Sequence, residues 1–215
     1  MRAAQLISRE RALLFRITHV RNLPWLLRNG LYAASGPRDP EFVAIGNPEL
    51  IGKRRRRAVP IPPGGTLDQY VPFYFTPFSP MLLNILKGQG GLPSRSREEI
   101  VFVISSIARL RECGADCVLT DAHAYSGEAQ FSPCPAGLDR IDWDLLRSRD
   151  FRRDPDDPGK LARYQAEALV YAHVPVDALV GLSGSTDGVV QQIQSLADGA
   201  GVTLPIAKRR EWYFL

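Results

Sequence analysis

One stretch governs how this chain can fold. From Gly52 to Gly88 it reads GKRRRRAVPIPPGGTLDQYVPFYFTPFSPMLLNILKG. Five consecutive cations, Lys53 to Arg57, lead into the rigid segment Val59-Pro60-Ile61-Pro62-Pro63-Gly64-Gly65, which neither helix nor interior strand tolerates. Tyr70-Val71-Pro72-Phe73-Tyr74-Phe75 then reads as an aromatic strand closed by Pro77, Ser79 and Pro80, and Met81 to Leu86 as an apolar helix. Taken singly, a cationic run is ordinarily a solvated helix face and an aromatic strand is ordinarily core. Taken together, guanidinium forks that hold phosphate lie beside rings that stack on bases, which suits a single nucleic-acid strand or a dinucleotide.

The length of 215 residues fits one domain, residues 1–215, and an apolar fraction of 45% is enough for a core. No run of eighteen apolar residues occurs, so no membrane span is expected. The opening MRAAQLISRERALLF lacks the apolar run and small-residue cleavage site of a secretory leader. Three cysteines, an odd number, argue against a disulfide framework and for a reducing cytoplasm. Residues 1–60 carry 12 Lys/Arg against 4 Asp/Glu, and the remainder 15 against 19, so the net charge of +4 hides a cationic N-terminal part able to attract a polyanion. Only four of the 27 cations are lysines, a bias that suits bidentate phosphate contacts and equally a GC-rich genome.

Along the chain, Leu13 to Val20 reads as a strand, and Asn22 can cap a helix from Leu23 to Arg28 that Asn29-Gly30 ends. Residues 31–50 form a long loop rich in Gly and Pro, and such loops tend to be functional. A helix from Leu50 to Arg57 would put Lys53 and Arg57 on one face. Ile100 to Ile104 reads as a strand, Ser105-Ser106 opens a helix running to Cys113, and the strand Cys117 to Thr120 delivers Asp121, His123 and Tyr125 to a loop. Cys113, Cys117, His123 and Cys134 are poorly spaced for zinc, and no metal is expected. Residues 126–140 look irregular, Asp142 caps a helix from Trp143 to Arg149, and FRRDPDDPGK (151–160) is an exposed charged loop.

Gln165 to Tyr171 reads as a strand. A glutamate opening a strand usually faces solvent, but positions i and i+2 share a face, which would point Gln165 and Glu167 into one cleft. Ala178 to Leu182 is a further strand and Gly188 to Leu196 a helix; a last strand, Leu204 to about Leu215, is expected to seal the sheet with Trp212, Tyr213 and Phe214. Strands outnumber long helices without regular βαβ alternation, which argues for an α+β fold.

The ordered set KR-x-x-x-x-VP, PPGG and YVPFYF-x-P-x-SPML, together with FRITHVRNL, LTDAHA, YQAEALVY and the REWYF ending, resembles the DarT family of DNA ADP-ribosyltransferase toxins over nearly the whole chain. The resemblance implies an ADP-ribosyltransferase-like fold, two small β-sheets around an NAD-binding cleft with flanking helices. It implies transfer of ADP-ribose from NAD to a base, thymine favoured, in single-stranded DNA, without a metal. Catalysis would fall to Glu167, Arg54 and His123; NAD contacts to Arg16, Thr18, His19, Asn22, Arg54 and Tyr74; and DNA contacts to Lys53, Arg55, Arg57, Tyr74, Phe75 and Gln165. Glu167 would stabilise a positive ribose carbon as nicotinamide leaves, and Arg54 the developing negative base. Placed at a cleft-facing strand end, Glu167 would pack little apolar surface, so its loss should leave the fold intact. The expected partner is a macrodomain antitoxin that removes ADP-ribose; a monomer in the cytoplasm is expected. Two other readings stay open: a transferase acting on guanine, RNA or protein, and an inactive single-strand-binding module.

Overall fold

In the computed structural model, which describes residues 6–214, the long β1 (Leu13–His19) runs up the middle of an eight-stranded sheet. Met1 to Gln5, the start of the segment tested above for a leader, and Leu215, the end of the expected last strand, lie outside the described residues. On one side β1 pairs with β4 (Ile100–Ser106) along its whole length, from Leu13 opposite Ser106 to His19 opposite Ile100. Beyond β4 come β9 (Gly181–Gly184) and, parallel to it, β10 (Ile206–Lys208). On the other side lie β3 (Tyr70–Tyr74), β7 (Glu167–Tyr171), β5 (Cys117–Thr120) and β6 (Phe131–Pro133), all antiparallel. β2 (Leu31–Tyr32) and β8 (His173–Val174) form a separate two-stranded sheet.

The expected pair of small sheets is therefore replaced by one large sheet and one very small one, in the same α+β layout. The large sheet nonetheless has a seam. β1 and β3 meet in register at a single pair, Phe15 opposite Tyr74. Pro72 explains why the ladder stops there. Its carbonyl accepts from the Arg16 side chain of β1, so its N-side also faces β1, and proline has no N–H to offer.

Local signals place the helices. Asn47, Ser79, Ser106, Asp142 and Thr186 each accept a backbone N–H in the first turn of α2 (Pro48–Arg54), α3 (Pro80–Lys87), α4 (Ile107–Glu112), α5 (Trp143–Ser148) and α6 (Asp187–Gly199). Asn22 sits at the N-cap of α1 (Leu23–Asn29) but makes no cap bond there. α2 stops at Arg54, so Lys53 and Arg57 do not share a helix face. The irregular 126–140 stretch holds β6 and a 3-10 turn at Ala136–Arg140. The strand expected at 178–182 lies instead at Gly181–Gly184, after a 3-10 turn at Val176–Ala178. No helix among the described residues is long and apolar enough to cross a membrane.

The expected C-terminal strand is only three residues, followed by a 3-10 turn at Arg210–Tyr213. The sealing role survives the change of backbone. The Trp212 ring packs edge-on against Phe15 (5.4 Å) and Phe102 (5.2 Å), and the buried Tyr213 hydroxyl donates to the Ile100 carbonyl at 2.9 Å. Burial pushes the Tyr213 phenol above its ordinary value. Because the folded-state pKa is raised, this contribution is complete below the unfolded value of about 10 and is lost as pH rises through the folded one. Across that window Tyr213 alone should lower unfolding free energy by about 1.4 kcal/mol per pH unit. Tyr213→Phe should cost about 1 kcal/mol at neutral pH and flatten the alkaline decline, read from denaturant midpoints between pH 7 and 12.

Candidate active site

One cross-strand row carries the polar chemistry of the sheet. Tyr74 on β3 stands opposite Glu167 on β7, and Glu167 opposite Thr120 on β5, so the three share a face. The next rows on that face, Pro72 with Leu169 and Val118, then Tyr70 with Tyr171, are apolar or aromatic. Tyr70, Leu169 and Val118 form a small core with Val59, Leu67 and Ala124. Alternation along β3 thus turns Tyr70, Pro72 and Tyr74 toward a cleft, while Val71, Phe73 and Phe75 enter the main core.

Glu167 is wholly buried yet charged-group-rich in its surroundings. Its Oε1 accepts from the Ala124 N–H at 2.8 Å, and Arg54 Nη1 donates to Oε2 at 3.0 Å and Oε1 at 3.3 Å. His123 Nε2 stands 4.0 Å from Oε1. The Thr120 hydroxyl accepts from the Glu167 N–H and donates to the Ala122 carbonyl, which starts the turn that presents His123 and Ala124. Sequence reasoning had Glu167 pointing freely into the cleft. In the structure the carboxylate lies beneath Arg54, whose side chain is 12% exposed and lines the cleft together with His123 and Tyr74.

The cleft has a volume of about 230 Å³ and runs along the seam between β1 and β3. Arg16 and Thr18 line it from β1, Asn22 from the following turn, and Trp25, Tyr32 and Phe42 supply aromatic walls. Asn22 holds the loop over the cleft: its Nδ2 donates to the Val43 carbonyl (3.0 Å) and to Thr18 Oγ1 (2.9 Å), and its Oδ1 accepts from the Val43 N–H (2.8 Å). Burial, and then the neighbouring Arg54 cation, pull the Arg16 guanidinium down to about 10, so it stays charged at neutral pH. Burial and the Glu167 charge push the Tyr74 phenol up, so its hydroxyl stays protonated. Arg16 Nε and Arg54 Nη2 are buried with no partner among the described residues. Two like charges with unused donors in one cleft suit an anionic ligand such as a pyrophosphate.

The structure brings Arg16, Thr18, Asn22, Arg54, Tyr74 and His123 together at the cleft, with Glu167 just beneath. His19 is not part of it. The ring is buried, Nδ1 accepts from the Arg21 N–H, and Nε2 lies 3.2 Å from Glu99 Oε1. Phe75 is not a stacking platform: it is 1% exposed and packs edge-on against Trp143 at 5.4 Å. Gln165 precedes β7, so the shared strand face does not apply, and its Nε2 donates back to the Leu161 carbonyl at 3.0 Å. Arg55 is exposed, Lys53 pairs with Glu49 at 2.5 Å, and Arg57 donates to the Ser126 carbonyl at 3.0 Å. Sequence reasoning missed the Ala124 N–H and the Thr120 hydroxyl, although both lie within the LTDAHA string. It also missed the exposed ring of Phe42, and placed Tyr125, likewise exposed, in its loop without giving it a role. Among the described residues no cluster of His, Cys, Asp or Glu is placed to hold a metal.

Comparison with known proteins agrees with this geometry. Residues 15–214 match the family described as "ssDNA thymidine ADP-ribosyltransferase, DarT". A DNA ADP-ribosyl transferase of Escherichia coli O127:H6 is 45% identical over 209 residues, covering 97% of this chain and 96% of that protein. Among solved structures, Thermus sp. 2.9 DarT in complex with ADP-ribosylated ssDNA superimposes with a TM-score of 0.86 at 28% identity, over 95% of this chain and 97% of that one. The same protein in complex with NAD+ gives 0.81 at 27% identity, over 95% and 98%.

The burial of Glu167 reverses the expectation that its removal is silent for the fold. Glu167→Ala leaves the Ala124 N–H and the Arg54 guanidinium without their acceptor, and breaking a buried charge pair costs about 3–5 kcal/mol. Glu167→Gln keeps an acceptor oxygen and should cost less than half of that. Urea unfolding of the two variants at pH 7 separates them.

Proposed function

The chain belongs to the DarT family, and on that premise we propose that it transfers ADP-ribose from NAD to thymine in single-stranded DNA, as the toxin of a toxin–antitoxin pair. It is a DNA ADP-ribosyltransferase, and NAD is its co-substrate. The observation that carries the transfer chemistry is the Arg54–Glu167 pair at the floor of a cleft whose buried Arg16 Nε and Arg54 Nη2 have no partner among the described residues, and the choice of thymine follows the description of the matching family.

Arg16, Thr18, Asn22, Tyr74 and Arg54, which line the cleft, would hold NAD, with Arg16 Nε and Arg54 Nη2 offering donors for its phosphates. NAD supplies an anomeric carbon that gains positive charge as nicotinamide departs. Glu167, fixed by Ala124 and Thr120, supplies the negative charge that stabilises this, and the carboxylate itself need not move as that charge develops. Since the carboxylate has no exposed surface, it meets the donor only when Arg54 gives up part of its double contact. A guanidinium freed in this way is available to the acceptor, where it stabilises the base nitrogen as its proton passes to Glu167 or a neighbouring group. His123 stands beside both.

Lys53, Arg55 and Arg56 at the end of α2, and the exposed Tyr125 ring, would meet the DNA strand. A duplex hides the base, so the acceptor must be single-stranded or flipped out. The whole chain would act as one monomeric domain in the cytoplasm, opposed by a macrodomain antitoxin that removes ADP-ribose.

Incubation with NAD and short oligonucleotides, followed by mass spectrometry, tests this directly: ADP-ribose should appear on thymine-containing single strands and weaken with salt, log-linearly with a slope of about −0.7 per neutralised phosphate. Equal labelling of blunt duplex, or labelling of thymine-free strands alone, contradicts it. Glu167→Gln should lower turnover about a hundred- to a thousand-fold with little change in NAD binding. Expression of the wild type in bacteria should arrest growth, and co-expression of an ADP-ribose-removing macrodomain should restore it.

A further inference from the structure

Arg57 is engaged in a way that a phosphate-binding arginine is not. It follows the end of α2 and does not line the cleft. Its backbone is held on both sides: the N–H donates to the Arg54 carbonyl at 3.3 Å, and the carbonyl accepts from the Leu67 N–H at 2.9 Å. Its Nη2 donates to the Ser126 carbonyl at 3.0 Å, and its Nε is buried without a partner among the described residues. Ser126 closes a turn on the His123 carbonyl (2.7 Å), and inside that turn lies Ala124, whose N–H reaches Glu167. Arg54 and the Ala124 N–H thus approach one carboxylate from separate segments, and the Arg57 side chain joins those segments.

We propose that Arg57 is a positioning residue: it holds the His123–Ser126 turn against the end of α2, so that Arg54 and the Ala124 N–H stay aimed at Glu167, and it takes no DNA phosphate. The inference rests on the reading above, transfer of ADP-ribose to single-stranded DNA. A backbone donor has no freedom to search for its acceptor. A shift of about 1 Å in the turn therefore passes directly to the carboxylate, and misplacement on that scale costs rates of about a hundredfold.

The test is steady-state labelling of a thymine-containing oligonucleotide, and DNA binding across a salt series, for wild type, Arg57→Ala, Arg57→Lys and Arg57→Gln. Positioning predicts that Arg57→Ala lowers kcat about ten- to a hundredfold at saturating NAD and DNA. KM for NAD should stay within about twofold, and the slope of log affinity against log salt should not change. Arg57→Lys, which keeps a donor for the Ser126 carbonyl, should recover part of kcat. A phosphate contact predicts instead a slope reduced by about 0.7 with kcat at saturation unchanged, and that result overturns the proposal. An Arg57→Lys turnover no better than that of Arg57→Ala overturns it as well. If Arg57→Ala does not fold, Arg57→Gln, also uncharged, is judged by the same slope and kcat. Should wild type label no oligonucleotide, the substrate reading fails by itself. The comparison is then made on nicotinamide release from NAD, where a loss in Arg57→Ala supports positioning and equality with wild type refutes it.

Discussion

A carboxylate with no exposed surface sets the terms for the rest of the site. Glu167 is tolerable inside the protein only because donors converge on it: the Arg54 guanidinium from α2 and the Ala124 N–H from the loop after β5. Segments distant in sequence are therefore committed to one point, and the row Tyr74–Glu167–Thr120 gives them a rigid floor. Arg16 adds a second cation that Arg54 repels, and both keep a donor nitrogen unused. The three charges are satisfied unevenly: both carboxylate oxygens accept from donors, while each guanidinium keeps a nitrogen with no partner among the described residues. That asymmetry makes the cleft receptive to an anion while keeping the carboxylate covered.

Much of the scaffold was legible because local rules decide it. The span of β1, the aromatic β3, the Asp142 cap and the helix following Thr186 all follow from periodicity and capping chemistry. The misplaced elements were those where the same residues serve two backbones. Trp212 and Tyr213 seal the sheet equally well from a 3-10 turn as from a strand, because what is specified is the ring contact with Phe15 and Phe102. Phe75 was assigned to DNA for its aromatic character, yet β3 alternation places it with Val71 and Phe73, and period should have outweighed composition there.

The site was legible in part. Arg54, His123 and Glu167 came from the ordered family resemblance and do meet in space. Their mutual geometry was hidden, since a backbone N–H such as that of Ala124 has no side-chain signature. His19 and Asn22 sit in one short string and look equally suited to a ligand. Only coordinates show that His19 has both ring nitrogens engaged away from the cleft, whereas Asn22 anchors the covering loop at Val43. The Q-x-E spacing misled because the strand begins at Glu167, two residues later than the spacing assumed.

The proline-made seam between β1 and β3 has a mechanical meaning. Four strands lie on either side of it, and one registered pair, Phe15 with Tyr74, is all that stitches the backbone ladders together. The Arg16 side chain supplies a second stitch by reaching across to the Pro72 carbonyl. Arg16 belongs to one half of the sheet and Glu167 to the other, so a ligand that engages both becomes a strut between two half-sheets that the chain itself joins only lightly. Occupancy of the cleft is then also a state of the sheet, stiffer when filled, and the backbone amides flanking the seam are where hydrogen exchange would register it.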